Sequence, residues 1–491
     1  MQMQISEQVK KITVVVARVL LGCVFVFSGY VKAVDPFGFT YKIEDYLAAM
    51  GLDFLAPMAF LAAVLLAAYE FMVGICLLLG ANIKGTTILA ALMMAFMTPL
   101  TLWIAIADPV TDCGCFGDAL VIGNWTTFWK NVVIDALLVI VWLWREHSPK
   151  LFSPRTEWII AIAAGFYSIA VSVYCYFNLP IIDFRPYKNG TKIEEAMRVP
   201  GSDEDVEYVA MRLDSLATGT ITREACRDAL CQPQFHLEKS DVERTMDDYL
   251  ASGEGDRDAE TAADKLFQTI QSEYESMLIY EKDGKQQDFT VQNYPKDSAW
   301  KFVDQVSKLV KEGYEPPIHD FTMESPGDGD ITEDVLKDTS YTFLLVSYHV
   351  DKAMTNKRKE INAIYDYAQA NGYGFIGMTT TGLNTKEMQE FKIEMGGVKF
   401  PFVNTDEKQL KTMVRSNPGL VLIKDGVVIN KWSNKNMPTF TEPLENTPRG
   451  QVQQANDRRV VLLSTVMFLV FLLGVFAFDK VVGIVAAKFK K

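Results

Sequence analysis

The residues best suited to chemistry stand in one short stretch, Asp112-Cys113-Gly114-Cys115-Phe116-Gly117-Asp118, between two long apolar runs. Two cysteines separated by one glycine can close a very small disulfide ring, and Gly114 supplies the permissive backbone such a ring requires. In an extended chain their Cα atoms would lie near or beyond the roughly 7 Å limit for bridging, so the segment must turn before a bond can form. A strained bridge is readily reduced, which makes Cys113 and Cys115 candidate catalytic residues for thiol–disulfide exchange. The same loop also reads as two free thiols, as partners for another protein's disulfide, as half of a metal site, or as a structural turn held by its glycines. No histidine or further cysteine stands nearby to complete a metal site, and nothing in the chain implies a cofactor.

Further polar candidates lie inside apolar runs. Arg18, Glu70 and Asp135 fall there, where a charge is costly and is usually turned inward. The simplest expectation pairs Arg18 with Glu70 to hold a helix bundle together, and the alternative is a substrate or proton path through Glu70 and Asp135. Lys32 and Asp35 read as interfacial anchors. Pro99 would free a backbone carbonyl and bend its helix, making room for a cavity. Cys23, Cys76 and Cys175 sit in apolar runs as small hydrophobes. Cys226 and Cys231 lie in a charged segment ending at Pro233. An oxidising compartment favours a disulfide between them, whereas an unbroken helix would point the two apart.

The elements that must position these residues follow from hydropathy. Apolar runs at roughly 13–33, 56–80, 86–107, 126–145, 157–178 and 460–480 are each long enough to cross a bilayer. The first continues through Phe25, Phe27 and Tyr30 without a small-residue cleavage site, so it reads as a retained span. If the runs alternate, Lys10, Lys11, Lys84, Arg145, Lys150, Arg155 and the tail lysines Lys488, Lys490 and Lys491 share one side, which the positive-inside rule makes the cytoplasm. The other side, the periplasm of a bacterial cell, receives 34–55, 108–125 and 179–458. With 491 residues, 49% hydrophobic content and a net charge of −13, the chain is no single small core, disordered chain or disulfide miniprotein. Its acidity also argues against a nucleic-acid partner.

The pattern Arg18…Leu21-Gly22…Phe27-Ser28-Gly29-Tyr30-Val31-Lys32, followed by Glu70 and by Cys113-Gly114-Cys115-Phe116-Gly117, resembles the DoxX-like superfamily and within it the MauE (methylamine utilisation) branch. The resemblance covers about a third of the chain. It implies a four-helix membrane core, here followed by a fifth span. Proteins of that branch are linked to maturation of disulfide-containing periplasmic enzymes, which implies an exchange role for Cys113 and Cys115. Nothing in the chain indicates methylamine oxidation. The whole layout, including Leu179-Pro180-Ile181-Ile182-Asp183-Phe184-Arg185-Pro186-Tyr187, is similar to a group of Bacteroidetes inner-membrane proteins.

Between spans five and six the chain changes character. Residues 179–205 read as an exit segment. From 206 to 275 the sequence is charged and helix-favouring, with acid at Asp203-Glu204-Asp205 and at Glu254, Asp256, Asp258 and Glu260, and reads as a solvated helical insert or a partner-binding arm. Met277-Leu278-Ile279-Tyr280, Asp283-Gly284 and Asp288-Phe289-Thr290-Val291 read as a β-hairpin. Pro316 and Pro317 precede His319-Asp320-Phe321, which resembles a lead-in strand of membrane-anchored thioredoxin-like proteins. Strands at 343–348 and 375–378 alternate with helices at 355–370 and 385–396, and a hairpin follows at 420–423 and 427–429. This order, with Pro418 just before the hairpin, resembles a thioredoxin fold. Phe400-Pro401-Phe402-Val403-Asn404-Thr405-Asp406 is similar to the matching stretch of peroxiredoxin-like and TlpA-like proteins. The resemblance implies two cysteines after the first central strand, where a helix N-terminus favours the thiolate. That place reads His349-Val350-Asp351-Lys352-Ala353-Met354, so this region cannot run dithiol exchange alone. His349, Asp351 and Pro418 then mark a degenerate site, the lesser reading being a His349–Asp351 acid–base pair.

The expected fold is a polytopic α-helical membrane bundle (DoxX/MauE-like) over 1–178, a connector with acidic insert over 179–275, a periplasmic α/β thioredoxin-like domain over 276–445, and a C-terminal transmembrane helix with cytoplasmic tail over 459–491. The expected role is an inner-membrane accessory or scaffold protein, embedded in the lipid bilayer, whose soluble domain binds a periplasmic or envelope protein. One alternative is a membrane thiol–disulfide oxidoreductase or maturation factor using Cys113 and Cys115. The other is a small-solute or ion transporter, weakened by the lack of an inverted repeat.

Overall fold

A computed structural model describes residues 6–110, 113–253, 257–282, 285–290, 300–311, 313–319, 321–446 and 456–489. Asp112, Glu254, Asp256, the expected hairpin turn at Asp283-Gly284, Val291, Asp320, Lys490 and Lys491 lie outside them.

Cap residues set the first helices. Ser6 accepts a hydrogen bond from the Val9 amide at 3.3 Å and opens α1 (Glu7–Val34). Asp35 then caps α2 (Pro36–Ala49) through the Gly38 amide at 2.9 Å, with Pro36 in the first turn. The segment 34–55, expected as a loop, is therefore mostly helix; the cap and the proline were visible, but the helix is short and only half apolar. A 3₁₀ turn, Asp53–Met58, leads into α3 (Ala59–Leu79), and α4 (Ile83–Ala107), α5 (Asn124–Trp144) and α6 (Pro154–Phe177) follow. Helices α1 and α3 meet backbone to backbone. A Cβ on Gly29 would lie 2.4 Å from the Phe71 nitrogen, and one on Gly74 would lie 2.5 Å from the Val26 nitrogen. Where hydrocarbon surrounds the helices, such small-residue contacts replace the hydrophobic effect as the source of association. Val14, Leu21, Phe25, Val73, Leu77 and Leu138 fill the adjoining core.

The chain divides into two compact units, Glu194–His319 and the remainder. In the smaller unit, α7 (Asp203–Ala217), α8 (Arg223–Leu230), α9 (Lys239–Ala251) and α10 (Ala259–Gln268) enclose Val209, Leu213, Cys226, Leu230, Met246 and Phe267. Strands β1 (Glu273–Lys282), β2 (Lys285–Thr290) and β3 (Lys301–Lys311) form an antiparallel sheet in the order β2-β1-β3. The insert thus has a core of its own, and its strands group with it rather than with the later sheet. Cys226 and Cys231 are unbridged. Helix α8 stays regular to Leu230, which points the two side chains apart.

In the larger unit the strands β4 (Tyr341–Val346), β5 (Gly374–Thr379), β6 (Phe402–Asn404), β7 (Gly419–Lys424) and β8 (Val427–Ser433) enclose α11 (Arg358–Ala370), α12 (Lys386–Glu394) and α13 (Glu407–Met413) in sequence. Their order is β8-β7-β4-β5-β6, continued by the two-residue strands Glu324–Ser325 and Gly329–Asp330. Strands β4, β5 and β6 are parallel, and β7 runs antiparallel to β4 and β8. Phe343, Leu345, Phe375, Leu420 and Leu422 bury one face against α11 and α12. His319 and Phe321 lie in no strand. The Met323 amide instead donates to Thr332 Oγ1 at 2.7 Å, and Phe321 packs edge-on against Tyr187. The exit segment is likewise fastened to this sheet, with Tyr187 donating to Gln409 at 2.8 Å and Lys192 bridging Val427. Finally α14 (Asn456–Phe489) lies along α6, where Phe468 stacks on Tyr167 at 4.4 Å and Thr156 donates to Asp479 at 2.6 Å. Among the described residues, six helices are long and apolar enough to cross a membrane: α1, α3 with its lead-in turn, α4, α5, α6 and α14.

Candidate functional site

Glycine shapes the cysteine loop. Gly114 and Gly117 hold φ of +62° and +53°, and the Gly117 amide donates to the Gly114 carbonyl at 3.0 Å. This tight turn brings the thiol sulfurs of Cys113 and Cys115 to 2.8 Å, with the pair unbridged. Both side chains are buried, at 4% and 7% exposure, against Tyr46 of α2 and Ile104 of α4. The Tyr46 hydroxyl donates to the Cys113 carbonyl, and the Lys42 side chain lies over Gly114 so closely that a Cβ there would be 2.9 Å from Lys42 Cγ.

Beneath the loop lies a buried charge pair. Lys32 Nζ donates to both Glu70 oxygens at 2.7 and 2.8 Å and to Ser28 Oγ at 2.9 Å. The Ser28 hydroxyl lies 2.7 Å from Glu70 Oε2 and 2.8 Å from the Cys115 carbonyl, tying the pair to the loop. Ser28 and Lys32 are stacked four residues apart on α1, and the glycine contact brings Glu70 of α3 against them. Arg18 therefore does not pair with Glu70. Its Nη1 donates to the Leu77 and Leu78 carbonyls at 3.1 and 3.3 Å in the last turn of α3, where the Leu77 carbonyl also accepts from the Gly80 amide at 3.2 Å. Lys32 is no interfacial anchor either, because its side chain is only 1% exposed.

The two thiols are electrostatically unlike. The hydrogen bond to Cys115, together with burial, pushes the Cys113 thiol up. The same bond, received by Cys115, outweighs burial and combines with the nearby Lys130 and Lys32 ammonium groups to pull Cys115 down from the ordinary thiol range. This asymmetry favours the thiolate at Cys115 over Cys113. Lys130, which also lies over the Phe116 ring at 4.4 Å, lines with Cys115, Lys32, Glu70 and Asn131 a small pocket. Asp135 belongs elsewhere. It accepts from Thr98 at 2.8 Å in an apolar groove between α4 and α5 beside Pro99.

The sheet region carries no cysteine after β4. His349 Nε2 meets Glu407 Oε1 at 2.9 Å, and Lys411 meets the same oxygen at 2.6 Å. Burial raises the Glu407 carboxyl, but the Lys411 ammonium and the contact with His349 hold it below its usual range. Asp351 is exposed in a 3₁₀ turn, so His349 and Asp351 form no pair. The Asn417-Pro418 peptide is cis, and Asn417 Nδ2 donates to the His349 carbonyl at 2.7 Å. Arg415, two residues earlier, is 5% exposed and reaches Asp35 Oδ2 and Asp118 Oδ2, each at 3.0 Å. Asp35 is accordingly an ion-pair partner rather than a membrane anchor. Sequence reasoning named Ser28 only within the family pattern, without a role, and passed over Tyr46, Lys130 and Arg415. A signal existed for Ser28, four residues before Lys32; none existed for Arg415, whose partners are hundreds of residues away.

Residues 10–145, which contain Ser28, Lys32, Glu70, both loop cysteines and Lys130, match the family described as Methylamine utilisation protein MauE. Residues 274–312, covering β1 to β3, match a Domain of unknown function (DUF8463). No curated protein and no solved structure matches the chain. Fold and comparison together define a protein with several membrane-spanning helices and a MauE family domain, joined to a sheet-containing region.

Proposed function

We propose that the protein is an inner-membrane accessory factor that exchanges thiols and disulfides at Cys113 and Cys115 on the periplasmic side. The observation that carries this is the contact of the two buried sulfurs at 2.8 Å, and the Lys130 and Lys32 charges near Cys115 favour its thiolate. Cys115 attacks a client disulfide, forming a Cys115–client bond and expelling one client thiolate. Cys113 then loses its proton and attacks the Cys115 sulfur, and the second client thiolate leaves. The client gains two electrons and the protein becomes the Cys113–Cys115 disulfide; run backwards, the same steps oxidise a client dithiol. The sheet region reads as thioredoxin-like, supported by the order β8-β7-β4-β5 with its parallel pair and antiparallel hairpin. Lacking cysteines, it serves as contact surface rather than redox partner. The periplasmic assignment is supported by Lys10, Lys84, Arg145 and Arg155, which all lie toward the opposite ends of the spans.

The test is equilibration of the full chain in lipid nanodiscs with glutathione buffers of graded ratio, followed by alkylation and mass analysis. Reversible interconversion of the Cys113–Cys115 dithiol and disulfide is expected. Thiols that stay reduced at every ratio would remove the proposal. The burial of both sulfurs favours a second reading, a purely structural loop in a scaffold protein. Under it a Cys113→Ser, Cys115→Ser chain retains full cellular function.

A further inference from the structure

Thiols this deeply covered cannot meet a client unless something moves; α4 packs against them through Ile104, and α2 covers them through Tyr46 and Lys42. Helix α2 is in turn held by the sheet region. Arg415 binds Asp35 at the α2 N-cap and Asp118 at the end of the cysteine loop, so one guanidinium ties the cover to the loop. Its Nη1 donates to the Lys411 carbonyl at 2.7 Å, which fixes the guanidinium to α13. Tyr41, one helical turn beyond Gly38 in α2, shares a hydrogen bond of 3.2 Å with Tyr348. Lys411 and Arg415 stand over its ring at 4.6 and 5.3 Å. Apart from the bond to the Lys411 carbonyl, each of these contacts joins the sheet region to α2 or to the loop, and none touches the sulfurs.

We propose that the sheet region controls access to the dithiol in cis by clamping α2 over Cys113 and Cys115, with Arg415 as the positioning residue. The proposal rests on the exchange reading for its purpose, but the clamp itself is a matter of access. Releasing Arg415 from Asp35 and Asp118 frees the α2 N-terminus and the Asp118 end of the loop together, and the sulfurs become reachable.

Access is read by the alkylation rate of Cys113 and Cys115 in the full chain in nanodiscs, with a polar maleimide and with Cys231 of the smaller unit as internal reference. Replacing Arg415→Gln is expected to raise the rate at the pair at least about tenfold while Cys231 is unchanged, as loss of a charge-assisted hydrogen bond in a local opening predicts. Gly38→Ala attacks the clamp from the other side, because its Cβ would stand 2.5 Å from Asp35 Oδ2 and 2.8 Å from Arg415 Nη2. It should reproduce the increase, and Arg415→Lys should restore part of the protection. Unchanged rates in both Arg415→Gln and Gly38→Ala, or an equal rise at Cys231 that reports general loosening, would overturn the clamp. Since alkylation needs no redox turnover, a clamp confirmed in a chain that fails the glutathione test would leave this inference standing and the exchange reading refuted.

Discussion

The pairing of Lys32 with Glu70 makes a quantitative demand on stability. Both side chains are almost wholly buried, and the ammonium group makes three short hydrogen bonds, two of them to the carboxylate. Glu70→Met leaves an uncompensated buried cation, and Lys32→Met leaves an uncompensated buried carboxylate; breaking a buried pair in this way costs about 3–5 kcal/mol. Replacing both by Met exchanges the pair for apolar volume, at a cost of about 1 kcal/mol or less. The double-mutant cycle should therefore return a coupling of about 3 kcal/mol or more. Reversible denaturant unfolding in nanodiscs, followed by tryptophan fluorescence, supplies the four values. Arg18→Met combined with Glu70→Met should instead be additive to within about 0.5 kcal/mol. A strong Arg18–Glu70 coupling with none between Lys32 and Glu70 would refute the geometry.

Three further outcomes are expected. Arg18→Met removes two hydrogen bonds to the end of α3 and should destabilise the bundle by about 1–3 kcal/mol in the same unfolding measurement. Gly29→Ala drives a methyl into the Phe71 backbone and should cost about 1–3 kcal/mol or more, whereas Ala at Gly165, with nothing near its Cβ, should be silent. Cys113→Ala removes the hydrogen bond that chiefly lowers the Cys115 thiol, so the pH midpoint of Cys115 alkylation should move up toward or beyond the ordinary value of about 8.5 and the rate at neutral pH should fall. Cys113→Ser keeps a donor and should shift it less; a midpoint unmoved by either change would count against the assignment of the thiolate.

Much of this organisation was legible along the chain because it is local. Hydropathy located the six helices long and apolar enough to cross a membrane, since each is one continuous apolar run along the chain. The alternation from Phe343 to Ile429 likewise announced its parallel strands and closing hairpin, and the Cys113-Gly114-Cys115 spacing announced a turn. What stayed hidden is what distant segments bring together. Lys32 looked interfacial because it sits near the end of its run, and only the glycine-tight approach of α1 to α3 places Glu70 beside it. Helix α2 was lost in a segment too short and mixed for periodicity to stand out, although Asp35 and Pro36 marked its start. Arg415 gave no local sign at all, because its role exists only once Asp35 and Asp118 lie against it.

The central claim is that Cys115 attacks and Cys113 resolves. Intact-mass analysis of the full chain after exposure to glutathione disulfide tests it directly. The native chain should pass to the Cys113–Cys115 disulfide, Cys113→Ser should accumulate a reductant-sensitive glutathione adduct on Cys115, and Cys115→Ser should remain largely unmodified at Cys113. Absence of an adduct in Cys113→Ser, or a faster adduct at Cys113 in Cys115→Ser, would contradict the account.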